Sequence, residues 1–322
     1  FNSKNLYLRQ ESSMSYFLRC VNCEREEKKS IINCSVCGGP LLPIYTHSDL
    51  TRSQIVKNVN LGESIYSIFS PMLPIKSSVD LVNYRNYFTP KVDCAILSKK
   101  YKTKLSAKLE FLSLTASVKE REGILEANMA KQLGYDGVVV ASTGNLAASL
   151  SFYCKKLGLK CLVYIPSNTS DTKLTQIMAY GAEVKKLEMN YDQIAEFVRN
   201  EAQKKNYFLG ALQAFRMEGY KTVSYELFLQ AGNIPDQIIV PMGDATTFSG
   251  IYRGFLDLKN IGLIRKLPRM IGVQEKGIDP IVIKYNKQGE LKKDFHGLAK
   301  AIHINHPLDI ESALDAIKNS NG

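Results

Sequence analysis

One lysine and two small polar loops carry the chemistry in this sequence. Ser117-Val118-Lys119-Glu120-Arg121 sets a lysine at the start of a helical pattern, and Ala141-Ser142-Thr143-Gly144-Asn145 follows about twenty residues later. Further on, the strand-like run Gln237-Ile238-Ile239-Val240-Pro241 leads into Gly243-Asp244-Ala245-Thr246-Thr247 ahead of another helix. Among side chains only lysine offers a primary amine that can hold an aldehyde as an imine. At a helix start the backbone dipole also disfavours the ammonium form and so favours the reactive amine. The amide of Asn145 can orient a ring, and N–H groups at a helix start can hold a phosphate. Aldehyde, ring and phosphate are the three handles of pyridoxal phosphate, so use of that cofactor is the expectation.

Taken singly, the segments have plainer readings. A lone lysine is ordinarily just exposed. Ser142, Thr143 and Asn145 either grip a substrate carboxylate, with Gly144 letting the backbone come close, or simply cap a helix, since all three residue types favour caps. Residues 243 to 247 match neither the Walker pattern nor the dinucleotide fingerprint. They form either a phosphate loop, with Thr246 and Thr247 donating hydroxyl hydrogen bonds, or a plain strand–helix turn. Asp244 suits the first reading only if it points away or supports the loop.

Four cysteines form a separate constellation. Cys20-Val21-Asn22-Cys23 and Cys34-Ser35-Val36-Cys37 stand ten residues apart, and Gly38-Gly39 follows the second pair. Two such knuckles place four thiolates for tetrahedral zinc, and glycine after a knuckle lets N–H groups turn toward the sulfurs. Four cysteine ligands leave no open position, so the role would be structural. The alternative is four unrelated reduced thiols. His303 and His306 share an HxxH spacing but fall in a predicted strand ending at Pro307, and with His47 and His296 they predict no metal site. A G-x-S-x-G elbow is absent.

These groups must be positioned by alternating elements. Apolar spacing predicts a helix from Lys119 to Leu133, stopped by Gly134, then a buried strand over Gly137-Val138-Val139-Val140-Ala141. Helices are expected over 146–157, 173–180, 191–205, 217–229 and 247–260, with strands over 160–165, 183–187, 237–240 and 270–274. Ser106-Ala107-Lys108-Leu109-Glu110 reads as a short strand, and the proline-punctuated stretch from Ile68 to Ile75 as a docking loop. The expected class is α/β: two open, mostly parallel sheets with helices on both faces, plus a small zinc-ribbon-like module at the N-terminus. Residues 1–45 form the zinc-binding module in this reading. Residues 46–118 with 225–322 form a larger cofactor-binding domain, and 119–224 a smaller domain with the substrate loop.

With 322 residues, 45% hydrophobic, the chain can bury a large core. It contains no run of eighteen apolar residues, so no membrane span is predicted. Phe1-Asn2-Ser3-Lys4-Asn5 has no apolar signal core, and the start of the protein is expected upstream or at Met14. Seven cysteines, four in CxxC pairs, suit a reducing, cytoplasmic setting. The net charge of +11 is spread among acids, as in Glu24-Arg25-Glu26-Glu27-Lys28-Lys29, which argues against a nucleic-acid face and for a solvated surface that attracts phosphorylated or carboxylate substrates.

The order and spacing of these motifs resemble the tryptophan-synthase-β (fold type II) superfamily of pyridoxal-phosphate enzymes, in its threonine-synthase-like branch. The family's lysine segment NPTGSFKDRG is matched by Ser113-Leu114-Thr115-Ala116-Ser117-Val118-Lys119-Glu120-Arg121-Glu122, and its S-S-G-N loop by residues 142 to 145. EGxKT appears as Glu218-Gly219-Tyr220-Lys221-Thr222, and the V-P-V-G strand as Val240-Pro241-Met242-Gly243. Gly272-Val273-Gln274, Ala299-Lys300-Ala301-Ile302 and the N-terminal cysteines fit as well. The resemblance implies that Lys119 is the covalent anchor of the cofactor and the proton shuttle, and that Asn145 bonds the ring oxygen. Ser142, Thr143 and Gly144, with Thr115 and Ser117, would bind substrate, and Gly243, Asp244, Ala245, Thr246 and Thr247 the cofactor phosphate.

It further implies a lyase that eliminates phosphate from O-phosphohomoserine and adds water. Family members continue past the position of Gly322, where the partner of the pyridine nitrogen would lie. Departures are Ala116 for glycine, Val118 and Glu120 for the family's phenylalanine and aspartate, a single glycine in the phosphate loop, and Thr89-Pro90-Lys91 for T-P-L. They keep three alternatives open: a β-replacement enzyme on O-phosphoserine of cysteate or cysteine synthase type, a non-catalytic binding protein of this fold, and a basic zinc-ribbon nucleic-acid binder. A homodimer is also left open.

Overall fold

The structure is a computed structural model that describes residues 16–28, 31–45, 50–60, 62–75, 88–170, 174–231, 234–291 and 297–322. Met14, His47, Lys173 and His296 lie outside the described residues. The chain forms two compact units, Phe1–Gly219 and Tyr220–Gly322.

The first unit opens with an antiparallel sheet of β1 (Tyr16–Cys20), β2 (Glu26–Glu27) and β3 (Leu41–Tyr45), in the order β2-β1-β3. Leu18 and Leu41 are buried in it. Helices α1 (Arg52–Asn60) and α2 (Ile65–Ile68) follow, the latter capped by the Ser64 hydroxyl, which accepts from Ser67 N at 3.1 Å. The stretch expected to be a docking loop is corrected here. Ile68, Phe69, Met72, Leu73 and Ile75 are all buried, with Pro71 at the start of a 3-10 turn over Ser70–Met72 that carries the chain inward. A small antiparallel pair, β4 (Lys91–Asp93) and β5 (Ser106–Lys108), flanks α3 (Ala95–Tyr101).

Then comes the alternation read from the sequence: α4 (Glu120–Gln132), β6 (Gly137–Ala141), α5 (Asn145–Leu157), β7 (Lys160–Pro166), α6 (Thr175–Ala179), β8 (Glu183–Leu187), α7 (Tyr191–Lys205) and β9 (Tyr207–Leu209). The four strands pair in parallel in the order β8-β7-β6-β9. All five residues of β6 are buried, as an inner parallel strand requires. The edge strand β8 keeps Glu183 and Lys186 in solvent, which blunts further pairing. Val139, Leu162, Tyr164 and Leu209 from the sheet pack with Ile194, Val198 and Ala202 of α7. Burying each valine, leucine or isoleucine among them contributes about 1.5–3 kcal/mol. Helix α7 starts on a capping box, Asn190 with Gln193.

Helices α4 and α5 pack against each other. A Cβ on Gly123 would fall 2.1 Å from Ser149 Oγ, so only glycine permits this separation. The residues heading these helices are thereby carried on one closely packed helix pair.

The second unit comprises α8 (Lys221–Ala231), β10 (Gln237–Pro241), α9 (Thr246–Asn260), β11 (Arg269–Val273), α10 (Pro280–Asn286) and α11 (Ile310–Asn319). Strands β10 and β11 pair in parallel. Helix α8 begins later than expected because Glu218–Tyr220 first forms a 3-10 turn. Inside the unit the buried Lys221 pairs with Asp257 at 2.6 Å, and Tyr225 donates to the same carboxylate at 2.7 Å. The strand expected around His303 and His306 is absent. Lys300–Ile302 makes a 3-10 turn, and the chain then runs without strand pairing to Asp309, which precedes α11.

Candidate active site

Lys119 is the N-cap residue of α4. Residues 120 to 130 of that helix are all buried, whereas the lysine side chain is 30% exposed. The loop before it is locked by its own hydroxyls. Ser113 Oγ accepts from Ser117 N at 3.1 Å and donates to Ser117 O at 3.0 Å, and Ser117 Oγ accepts from Lys119 N at 3.3 Å. Thr115 is buried and gives both its N–H and its hydroxyl to the Glu120 carboxylate. Burial pushes the Glu120 carboxyl up, against the hydrogen bonds it accepts from Thr115 and Tyr153.

Ala116 sits in the left-handed region with φ +56°. A Cβ there costs about 1 kcal/mol relative to glycine, so Ala116→Gly is expected to raise stability by about that much in urea denaturation.

Arg121 anchors the same turn. Its Nε and Nη2 donate to Glu110 at 2.6 and 2.8 Å, and Nη2 also reaches Thr89 Oγ1 at 3.0 Å. Burial alone would raise the Glu110 carboxyl, but the Arg121 charge and the hydrogen bonds from Arg121 and Thr89 hold it below its usual range. A carboxyl depressed on folding stabilises fully above its ordinary pKa and loses that contribution as pH falls through the folded value. Arg121→Met should therefore destabilise by about 3–5 kcal/mol at neutral pH, with the deficit shrinking in acid. Urea titrations at two pH values check both parts.

The second candidate loop heads α5. Gly144 is its N-cap residue in extended conformation, and no side chain caps the helix. Ser142 Oγ accepts only a long bond, 3.4 Å, from Gly144 N. Gly144 and Asn145 are exposed, Ser142 and Thr143 half-buried, and a Cβ at Gly144 would meet nothing within 4 Å. There is thus open space beside Gly144 at the head of α5, at the carboxyl end of β6, where ligands of parallel sheets bind.

Residues 243 to 247 belong to the second unit. Ala245 is the N-cap of α9 with φ +64°, and here too no side chain caps the helix. Asp244 braces the loop: its backbone O accepts from Asp309 N at 3.1 Å and its Oδ1 from Leu308 N at 3.4 Å. Thr246 is buried and Thr247 half-buried. Ser249, in the first turn of α9, has a buried hydroxyl without a hydrogen-bond partner among the described residues.

The four cysteines converge. Their sulfurs lie within 4.8 Å of one another, with Cys20–Cys37 at 3.4 Å and Cys23–Cys34 at 3.7 Å. Ligands of a tetrahedral metal at about 2.3 Å stand about 3.8 Å apart, so the spacing suits such an ion. Backbone N–H groups of Cys37 and Val36 bring the Cys34 thiol down to about 7. The Gly39 N–H favours the Cys37 thiolate as well, but sulfur contacts with Cys20, Cys23 and Cys34 push that thiol up to about 12. Four thiolates here would need a cation among them. A Cβ on Gly39 would lie 3.0 Å from Cys20 Sγ and closer still to the Asn22 amide, so the backbone runs close beside the sulfurs there. The cluster is tied to the rest of its unit, since Tyr45 of β3 donates to Glu218 Oε2 at 2.7 Å.

The model of a family described as pyridoxal-phosphate dependent enzymes matches residues 82–322. The chain belongs to this family. It is an enzyme of the threonine-synthase-like branch. A threonine synthase of Methanocaldococcus jannaschii is 34% identical over 94% of the enzyme and 77% of that relative. A second, from Methanosarcina acetivorans, is 32% identical over 95% of the enzyme and 77% of its own length. In fold the enzyme is similar to maize serine racemase (TM-score 0.60, 21% identity, 72% of this chain and 71% of that one). It is likewise similar to a pyridoxal 5'-phosphate-dependent aspartate racemase (TM-score 0.60, 21% identity, 84% and 78%). The uncapped heads of α5 and α9 each suit an anionic group, and in the second unit the buried Ser249 hydroxyl has no hydrogen-bond partner among the described residues. Sequence reasoning missed Glu122, whose Oε2 lies 3.0 Å from Lys119 Nζ. The i,i+3 spacing of opposite charges was the available signal.

Among the described residues, no helix of the enzyme is long and apolar enough to cross a membrane.

Proposed function

We propose that the enzyme converts O-phosphohomoserine and water into threonine and inorganic phosphate. The observation that carries this reading is the amine of Lys119, part-exposed at the head of a helix otherwise buried over residues 120 to 130. In this reading Lys119 holds the cofactor aldehyde and moves the α-proton. Asn145 hydrogen-bonds the ring oxygen, and Ser142, Thr143 and Gly144 receive the substrate carboxylate. Ser117 and Thr115 shape the adjoining turn, Thr115 through its bonds to Glu120. Gly243, Asp244, Ala245, Thr246 and Thr247 hold the cofactor phosphate. When bound, pyridoxal phosphate supplies an electron sink for the α-carbon. The net charge of +11 favours encounter with a phosphorylated substrate.

Zinc at Cys20, Cys23, Cys34 and Cys37 has a structural role in the same reading, and the seven free thiols suit a reducing cytoplasm. The test is phosphate release and threonine formation from O-phosphohomoserine, run beside O-phosphoserine with sulfite or sulfide. Release from O-phosphoserine alone would replace this reading with β-replacement chemistry, which the departures at Ala116, Val118 and Glu120 keep in play.

A further inference from the structure

We infer that Glu122 gates Lys119: its carboxylate holds Nζ as the ammonium and so sets the pH at which the lysine becomes a nucleophile. This rests on the assignment of Lys119 as the cofactor lysine. Glu122 lies three residues along α4, with Oε2 3.0 Å from Nζ, and its side chain is only 2% exposed. A carboxylate so close and so poorly screened favours the charged amine. It opposes the dipole at the head of α4, which favours the neutral form.

Other titratable groups lie along α4 and its neighbours, and the Lys119 charge also acts on Glu126, working to lower its carboxyl. One turn further in, Glu126 is fully buried, and Ala211 N and Gln213 Nε2 donate to it. Burial and the nearby Glu122 push the Glu126 carboxyl well above its usual range, so it resists ionising. From α5 comes the Cys154 thiol, pushed up by its contact with Cys161, by burial and by Glu126. Arg121 is engaged by Glu110, and Glu120 by Thr115. Releasing the amine costs one proton, which passes from Nζ to solvent.

The test is trace acetylation of the cofactor-free protein with acetic anhydride across pH, read by mass spectrometry of the Lys119 peptide. Glu122→Gln is expected to lower the labelling midpoint by about one pH unit, which raises labelling at neutral pH about tenfold. An unchanged or higher midpoint overturns the gate. Glu122→Gly, which carries the residue found at this place in the NPTGSFKDRG segment, has the same expected result and serves if the glutamine variant does not fold. Borohydride reduction after adding pyridoxal phosphate to the unaltered protein separates the two ideas. Label away from Lys119 refutes the lysine assignment and the gate with it. Label on Lys119, with no shift in either variant, refutes the gate alone.

Discussion

Lys119→Ala is expected to abolish the visible absorbance that borohydride bleaches and to lower turnover by about 10²–10⁴-fold, the usual worth of a positioned proton-transfer group. The amine is expected to act twice, as the covalent anchor and as the base, and alanine removes both roles. Binding of the phosphate should survive in part, because the uncapped amides at the head of α9 are untouched. Equilibrium dialysis of the cofactor therefore separates loss of the covalent link from loss of binding. A small primary amine added to the variant should restore part of the rate. Full turnover in the alanine variant would sink the assignment.

Removing the metal should have the largest structural effect. Purified protein is expected to contain about one zinc per chain, and substantially less would reject the four-cysteine site. Cys34→Ser, or a strong chelator, takes away a ligand set that in isolated zinc modules contributes on the order of 10 kcal/mol. The module's sheet has few alternatives for stability, since β1, β2 and β3 contribute five, two and five residues. Its sulfurs without a cation would also have to keep some protons, as the opposed behaviour of Cys34 and Cys37 indicates. A loss of a few kcal/mol would lower Tm by about 5–10 °C. Hydrogen exchange should rise first in β1 and β3, and next around Glu218, which Tyr45 holds.

Legibility varied with the length and regularity of each signal. The stretch from α4 to α7 could be read because its apolar runs are long and glycines stop α4 and α5, with Gly158 adopting φ +71° at the end of α5. Strand β9 went unread because it has only three residues and follows directly on α7. Helix α10 has only seven residues and went unread, as did α11. The HxxH pair suggested a strand through β-branched and histidine content, yet it pairs with no strand among the described residues, and the chain turns instead. The segment from Ile68 to Ile75 was misjudged because proline content signals a turn without saying whether that turn is buried.

Residue types and spacing by themselves determined the cysteine knuckles, the lysine at a helix head and the strand–loop–helix setting of the two polar loops, since each depends on local backbone preference. Tertiary structure alone decided what surrounds those groups. Arg121 meets Glu110 across eleven positions and Thr89 across thirty-two, and Tyr45 meets Glu218 across 173. Gly123 admits Ser149 only because two helices cross there. Such contacts depend on which surfaces the folded chain buries together, and the Lys119 amine lies 3.0 Å from a carboxylate whose burial no local pattern reveals.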